Sequence, residues 1–316
     1  QTSNDGRYGF AGLEMGYDYT VSPQRDDNPL NGVSTFDLVL ISKHVLGIEL
    51  LDSPYKLIAA DVNNSGSLST FDMVQLRKFI LIIDAAFLNN TSWRFVAKDY
   101  EFSDPSNPWA SHFPELMNFN DLESSHMNSD FIGIKIGDVN GTAVANSLLG
   151  TEGRSAGSFG LEVDNRILQA GETTTVHFTA NHSQVQGYQF TLEHAGLELN
   201  HIEAGAAKQA NFGLFEGATT VSWNEKTAST QAFSLVFTAS EAVLLSDALQ
   251  LTSSRTQAES YTNTGEVEDI KLYFHTTGFA LYQNTPNPFD EVTMISFALP
   301  SAQSASLTVT DAAGTV

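Results

Sequence analysis

Apolar residues recur at helical spacing in two stretches of the chain, 36–48 and 71–83. In each stretch the polar side chains fall on the opposite side, as in a helix with one face packed against a core. Both stretches begin within the same four residues, Ser-Thr-Phe-Asp, at 34–37 and 69–72. The pattern therefore predicts two helices, each entered from a polar loop.

Alternation of apolar and polar residues dominates the region 158–275, in short runs separated by turn residues. Clear runs occur at 174–179, 188–192, 220–223 and 233–237. No helix-length pattern interrupts them, apart from a short turn near 241–245. Many short alternating runs are typical of an antiparallel β-sandwich.

Shorter β patterns lie before the sandwich. Residues 8–21 alternate in part and contain several glycines, which predicts two short strands, while 93–101 and 131–136 predict one strand each. Two strands alone are marginally stable. We therefore expect these strands to share one sheet that flanks the two helices.

Two further stretches complete the chain. Residues 143–157 are small and polar, which predicts a linker. Residues 279–316 follow the sandwich, with strands predicted at 293–299 and 306–310. We expect this third unit to be an incomplete sheet.

Composition excludes several kinds of partner and site. The chain has 37 Asp and Glu against 15 Lys and Arg, a formal charge of -22, whereas nucleic acid and anionic membranes require basic patches. The absence of cysteine excludes disulfides and thiolate zinc sites. An acidic surface suits the binding of divalent cations. Equally, such a surface can serve only to keep a protein soluble and have no specific function. The sequence has no His-Glu-x-x-His and no phosphate loop, and we expect no enzyme.

Residues 61–72 follow the spacing of an EF-hand calcium loop, with a glycine, Gly66, at the sharp turn of position 6. The ligands assigned at positions 1, 3, 5, 7, 9 and 12 are Asp61, Asn63, Ser65, Ser67, Ser69 and Asp72. Calcium takes six to eight oxygen ligands. An alternative is that Asp and Ser before a helix serve only as N-caps, but this explains Ser69 and not the whole spacing.

A weaker form of the loop lies 35 residues upstream. Its assigned ligands are Asp26, Asn28, Leu30, Gly32, Ser34 and Asp37. Leu30 can supply only a carbonyl, and Asn31 replaces the glycine of position 6.

Residues 138–141 repeat the start of a calcium loop without its second half. Asp138 and Asn140 are therefore either two ligands of a site completed elsewhere or part of a plain Asp-rich turn.

Two such loops, each followed by one helix and closed by Asp rather than Glu, resemble a type I dockerin over residues 26–85. Segments 31–47 and 65–81 carry the resemblance. It implies a module that folds around two Ca²⁺ ions and often binds a cohesin. Partner contacts would then be sought at Ser42-Lys43 and Arg77-Lys78.

Other resemblances cover most of the remaining chain. Residues 158–275 resemble a cohesin-type sandwich, on the cues 159–163, 170–178 and 185–192. The pair Trp223 and Tyr188 is either a sugar-stacking platform or core.

The tail carries a more specific resemblance. Segments 281–289, 295–300 and 307–314 resemble the type A C-terminal sorting domain of type IX secretion, which implies export across the outer membrane of Bacteroidota-like bacteria. The opening residues 8–21 resemble the last hairpin of the small β-sandwich repeats of bacterial surface proteins.

The expected fold class is multidomain and mainly β. A two-helix, dockerin- or EF-hand-like calcium module is flanked by β-strands and followed by an antiparallel β-sandwich and an incomplete small β-sandwich. The expected units are the end of a β-sandwich repeat (1–23), the calcium module (24–90), a β-strand extension (91–142), the linker (143–157), the cohesin-like sandwich (158–276) and the truncated sorting domain (279–316).

Two hypotheses of function follow. The first is a non-catalytic, calcium-stabilised C-terminal region of a large secreted cell-surface protein, structural or adhesive, that assembles into fibres through its dockerin-like and cohesin-like modules. The second is an accessory carbohydrate-binding tail of a secreted polysaccharide hydrolase. The expected partners are other proteins, including copies of itself, the type IX secretion machinery, and polysaccharide under the second hypothesis. The expected location is extracellular, at the outer cell surface.

Overall fold

The structure is a computed structural model. It describes residues 2–3, 6–145, 157–203, 205–224, 231–275, 280–282, 284, 287–288, 290–299 and 304–309. The helices are α1 (Thr35–Val45), α2 (Pro54–Ala60), α3 (Thr70–Ile80) and α4 (Leu245–Ala248). The strands before the sandwich are β1 (Tyr19–Val21), β2 (Trp93–Ala97), β3 (Met117–Phe119) and β4 (Phe131–Lys135).

The sandwich and tail supply the other strands. They are β5 (Ser158–Asp164), β6 (Ile167–Leu168), β7 (Thr173–Ala180), β8 (Val185–His194), β9 (Leu197–Glu203), β10 (Phe212–Phe215), β11 (Ala218–Asn224), β12 (Gln231–Ala239), β13 (Val243–Leu244), β14 (Leu249–Thr252), β15 (Glu259–Thr262), β16 (Val267–His275), β17 (Ala280–Leu281) and β18 (Phe297–Ala298). The mainly β class is confirmed.

Both predicted helices are confirmed, and both start at a capping box. Ser34 and Ser69 are the N-cap residues of α1 and α3, and the side chain of the aspartate three residues later accepts from the cap N–H. The helices end earlier than the apolar pattern, at Val45 and Ile80. Gly47 and Ile82 have positive φ (67° and 60°), which the α-helix does not allow.

Helix α2 is a third helix that the apolar pattern missed. Ser53 caps it and Pro54 occupies its first turn, which is a recognised start signal. Its apolar residues complete a core that α1, α3 and β4 share. Leu38, Ile41, Ile58, Leu76 and Ile134 are among the residues buried there.

Strands β2 and β4 are confirmed, and they pair with each other in antiparallel register, Trp93 opposite Lys135. The expectation that they share a sheet with the opening hairpin is wrong. β1 pairs with β3 instead, and residues 8–18 form no strand. Phe10, Met15 and Tyr17 remain exposed there, so little apolar burial offsets the entropy of ordering that segment.

The predicted sandwich is a curled sheet that contains ten strands within the described residues. Its order is β10-β11-β8-β15-β16-β5-β7-β12-β9, with β14 also on β8. The expectation of a wholly antiparallel sheet needs one correction, because β5 and β16 are parallel. These first and last long strands join the two halves of the sheet around an aromatic core that includes Phe159, Phe178, Phe190 and Phe237.

The tail is described only in part. β17 pairs with β18, so the strand predicted at 293–299 is short. Residues 304–309 form no strand, while residue 310 lies outside the described residues. Residues 146–156 of the predicted linker also lie outside them, and the proposed division into domains stays a prediction.

Candidate calcium loops and the helix–sandwich contact

The loop 61–72 folds as its spacing predicts. Asp61 and Asp72 are fully buried. Ser65 N–H donates to Asp61 Oδ1 and Gly66 N–H to Asp61 Oδ2, both at 2.8 Å. Asn63 N–H donates to Asp72 Oδ1 (3.2 Å). The structure therefore brings positions 1, 3, 5 and 12 together, and Gly66 has the expected positive φ of 77°.

The donor set of this loop fits calcium. The side-chain oxygen Oδ1 of Asn63 is buried and has no hydrogen-bond partner among the described residues. An unpaired buried oxygen costs free energy, and a cation at position 3 would satisfy it. Burial, with the charge of Asp72 adding to it, raises the pKa of Asp61. A divalent ion beside both carboxylates would stabilise their ionised forms and so offset the effect of burial and of their mutual repulsion.

The loop 26–37 does not close on itself in the same way. Asp26 Oδ1 accepts from the N–H of Ser92 (2.7 Å), and Asn28 has φ 42°. Asp37 is fully buried, and its Oδ1 accepts from the N–H of Val139 (2.8 Å). Hydrogen bonding therefore connects Asp37 to residues near 138 and connects Asp26 to Ser92, the residue before β2.

Asp138 is buried within a turn of its own segment. Its Oδ1 accepts from Gly141 N–H (2.7 Å) and its Oδ2 from Ala143 N–H (2.8 Å). Burial and the charge of Asp138 raise the pKa of Asp37 to about 7. Burial lowers the pKa of Lys135 to about 8.

The N-terminus of α1 contacts the outer face of the sandwich. Thr35 N–H donates to Gln189 Oε1 of β8 (2.6 Å), and Thr35 Oγ1 shares a hydrogen bond with Ser222 Oγ of β11 (2.7 Å). Thr35 and Ser222 are fully buried. Beside them the ring of Phe36 stacks on Tyr261 of β15, with centroids 5.4 Å apart. Polar and aromatic contacts therefore fix this helix end on the sheet.

The C-terminus of α3 contacts the same face. Thr220 Oγ1 of β11 donates to the carbonyl of Leu81 (2.7 Å), and Thr256 Oγ1 donates to that of Ile80 (2.8 Å). The last carbonyls of a helix have no partner within it. Threonines of the sandwich therefore cap this helix.

The backbone of the sandwich comes close to the helices at this contact. A Cβ on Gly187 would lie 3.2 Å from Thr35 Cγ2 and 2.9 Å from the carbonyl oxygen of Trp223. A Cβ on Gly213 would lie 2.7 Å from the Leu81 oxygen. Glycine at these two positions leaves room for the helix ends.

Of the four suggested partner-contact residues, Arg77 contacts the sandwich, since its Nη2 donates to Asn224 Oδ1. Lys43 pairs instead with Glu49 (3.1 Å), and Lys78 is exposed. Sequence reasoning missed Thr35 and Phe36. The repeat of Ser-Thr-Phe-Asp at 34–37 and 69–72 was the sequence feature that could have drawn attention to them.

The pair Tyr188 and Trp223 is core. Both rings are 2% exposed and stack at 5.0 Å, so neither presents a face to a sugar.

A Gly-x-Ser-x-Gly spacing, which is typical of some hydrolases, occurs at 153–157. It lies in the predicted linker, and 153–156 are outside the described residues.

Comparisons with known proteins find similarity to solved structures alone. No protein-family model and no curated protein matches the chain. Solved cohesin structures match part of it. A chain from the type I cohesin–dockerin complex Coh-OlpA-Doc918 of Clostridium thermocellum is 13% identical, covers 36% of this chain and 94% of its own, and gives a TM-score of 0.29.

Two more solved cohesin structures match with similar identity and coverage. The seventh ScaB type I cohesin of Pseudobacteroides cellulosolvens is 16% identical over 37% of this chain and 86% of its own, with TM-score 0.28. A non-cellulosomal cohesin of Archaeoglobus fulgidus is 13% identical over 36% and 86%, with TM-score 0.29. At such identities and scores these likenesses assign neither a family nor a ligand nor a partner.

Among the helices that the structure describes, none is long and apolar enough to cross a membrane. The dockerin-like and sorting-domain resemblances stay predictions.

Proposed function

We propose that this chain is a non-catalytic, calcium-stabilised region of a secreted cell-surface protein, and that its helices and its sandwich are mutual binding partners. The observation that carries the proposal is the contact of α1 and α3 with β8, β11 and β15. Thr35, Ser222, Thr220 and Thr256 are all buried there and all hydrogen-bonded across the contact.

A contact of this kind is specific because its polar groups are matched. A mismatched partner surface would leave the hydroxyls and the helix carbonyls buried without partners, at a cost of about 1–3 kcal/mol for each group. The stacked pair Phe36 and Tyr261 adds about 1 kcal/mol beyond its buried area. The face therefore favours one partner surface over unrelated ones.

The same contact can close within one chain or between two copies. Within a chain, the predicted linker 143–157 sets a high effective concentration of the two partners. At high protein concentration, exchange between copies makes head-to-tail contacts, which generate open fibres if they do not close into a ring. Structural or adhesive assembly at the outer cell surface is the function that this supports.

Calcium and export are further parts of the proposal. Calcium is proposed at the loop 61–72 and at the Asp37 end of the first loop, because the donors are oxygens and Asn63 Oδ1 is buried with no partner in the part of the chain that the structure describes. Export by the type IX secretion machinery rests on the tail segments at 281–289 and 295–300. The polysaccharide alternative loses its sugar-stacking candidate, since Tyr188 and Trp223 are core.

Fluorescence transfer between copies tests the assembly. The chain has no cysteine, so Lys78→Cys and Lys271→Cys give singly labelled full-length pools. In calcium, mixed pools should show transfer that rises with concentration. Phe36→Ala should weaken it about tenfold, because the ring stack is lost. Phe71→Ala is the matched control, since Phe71 is the same residue of the other repeat and is 58% exposed.

Absence of transfer between the two singly labelled pools at every concentration would contradict assembly between copies. An equal effect of Phe36→Ala and Phe71→Ala would contradict the role given to the α1 contact.

A further inference from the structure

We propose that residues 138–143 and 32–37 together form one calcium loop, with its first half supplied by the later segment and its second half by the earlier one. The inference rests on the proposed calcium role. It replaces Asp26 and Asn28 by Asp138 and Asn140 as the leading ligands. The segments are 102 residues apart at the Val139–Asp37 hydrogen bond.

The leading aspartates of the two sites share two hydrogen-bond partners, and Asp138 Oδ1 also accepts from Gly141 N–H (2.7 Å). Asp61 Oδ1 accepts from the N–H four residues later, and its Oδ2 accepts from the N–H five residues later. Asp138 does the same, with Thr142 N–H on Oδ1 (3.2 Å) and Ala143 N–H on Oδ2 (2.8 Å). Residues 138–142 therefore have the backbone course of positions 1 to 5, with positive φ at Gly141 (76°) as at Asn64 (55°), whereas Ala143 lacks the positive φ of Gly66.

The closing aspartates correspond in the same way. Asp72 Oδ1 accepts from Asn63 N–H (3.2 Å), two residues after the leading aspartate. Asp37 Oδ1 accepts from Asn140 N–H (3.3 Å), again two residues after the leading aspartate. Asp37 thus stands to Asp138 as Asp72 stands to Asp61.

Positions 5 and 7 of the two loops also correspond, although in the composite loop they come from different segments. Ser65 Oγ, at position 5, donates to the carbonyl of Ser67 at position 7 (3.1 Å). Thr142 Oγ1 donates to the carbonyl of Gly32 (3.0 Å). Gly32 and Ser67 each lie two residues before the N-cap serine of their helix, so the carbonyl of Gly32 takes position 7.

The junction between the two segments is tightly built. A Cβ on Gly32 would lie 2.4 Å from the backbone nitrogen of Ala143, so glycine is needed where the backbones meet. Asn31 clamps the junction from both sides, with Nδ2 donating to the Val144 carbonyl (2.8 Å) and Oδ1 accepting from Val144 N–H (3.1 Å).

The ligand chemistry is that of a hard divalent cation. The six positions supply oxygens only: Asp138, Asn140, Thr142, the Gly32 carbonyl, Ser34 and Asp37. The ammonium of nearby Lys135 donates to the carbonyls of Pro29 (2.6 Å) and Ile136 (3.0 Å). Backbone N–H groups and the hydroxyl of Ser34 donate hydrogen bonds to Asp37 and Asp138.

A cation here would act on the binding face. Asp37 lies in the first turn of α1, next to Thr35 and Phe36, which contact the sandwich. Binding would therefore join the 138–143 segment to the helix end that contacts β8 and β15.

Calcium titration of the full-length chain by calorimetry tests the composite loop. Wild type should bind two Ca²⁺. Asp138→Asn should lose the composite site and keep the site at 61–72. Asp72→Asn should lose the site at 61–72 and keep the composite site. Asp26→Asn is the matched control and should keep both. Thr142→Val changes an exposed side chain and should weaken one site about tenfold, which keeps the test valid if Asp138→Asn does not fold.

The outcomes separate the two proposals. Loss of a site in Asp26→Asn with both sites kept in Asp138→Asn and Thr142→Val would overturn the composite loop in favour of 26–37. A wild type with one site, abolished by Asp72→Asn, would overturn the composite loop and leave calcium at 61–72. A wild type that binds no calcium would overturn the proposed calcium role itself.

Discussion

Single side chains at the helix–sandwich contact have environments that can be measured. Glu259 accepts from Gln189 Nε2 (3.2 Å) and from the hydroxyl of Tyr261. Burial raises the pKa of Glu259 above its ordinary value of 4.5, although the Tyr261 hydrogen bond opposes this. The folded chain therefore holds this proton to higher pH than the unfolded chain does.

The sign of the pH effect follows from linkage. An acid with a raised folded pKa favours the folded state fully below its unfolded pKa, and this contribution is lost as pH rises through the folded value. Glu259→Gln should therefore raise the Tm at pH 7 and flatten its dependence on pH above 4.5. Thermal denaturation across pH measures this, with the exposed Glu266→Gln as control. A lower Tm for Glu259→Gln at every pH would show that the carboxylate is stabilising.

At the scale of elements, the α3 end depends on hydroxyls from another part of the chain. Thr220→Val and Thr256→Val keep the side-chain shape and remove the donors to Leu81 and Ile80. Each should lower the free energy of unfolding by about 1–3 kcal/mol, because a buried carbonyl loses its partner. Urea denaturation of the full chain measures the change.

The control for this prediction is Thr70→Val, which alters an exposed threonine at the start of the same helix. If the three variants lose the same stability, the effect belongs to replacement of Thr by Val in general and not to capping by the sandwich.

Local signals predicted these elements unevenly. Ser34 and Ser69 marked both helix starts, because a capping box is a contact between residues three apart. Ser53 and Pro54 marked α2 as well, but its seven residues are too few for a clear apolar period. Alternation predicted two strands within 8–21 and only β1 forms there, whereas its partner β3 was not predicted, since pairing depends on residues about 100 positions away.

At the scale of the whole molecule, calcium should stabilise the chain by mass action. At free calcium of 100 times the Kd, each site adds about 2.7 kcal/mol, so chelation should lower the Tm by several degrees. Differential scanning calorimetry in calcium and in chelator measures the shift. Magnesium alone should restore little of it, because Mg²⁺ requires stricter octahedral geometry. Equal Tm values in calcium and chelator would contradict calcium stabilisation.

The sequence by itself determined what depends on neighbours along the chain. The spacing of 61–72 predicted a loop in which Asp61, Asn63 and Asp72 come together, and alternation predicted the strands of the sandwich. These features are local, since a few successive residues set each turn, cap or strand face.

Tertiary structure decided the partners. It placed Asp37 beside Asp138 and directed Asp26 to Ser92, and it put Thr35 on the sandwich while its repeat equivalent Thr70 stayed exposed. The two Ser-Thr-Phe-Asp segments are identical, so these four residues do not themselves distinguish Thr35 from Thr70. What distinguishes them is the surface that each one meets when distant parts of the chain pack together.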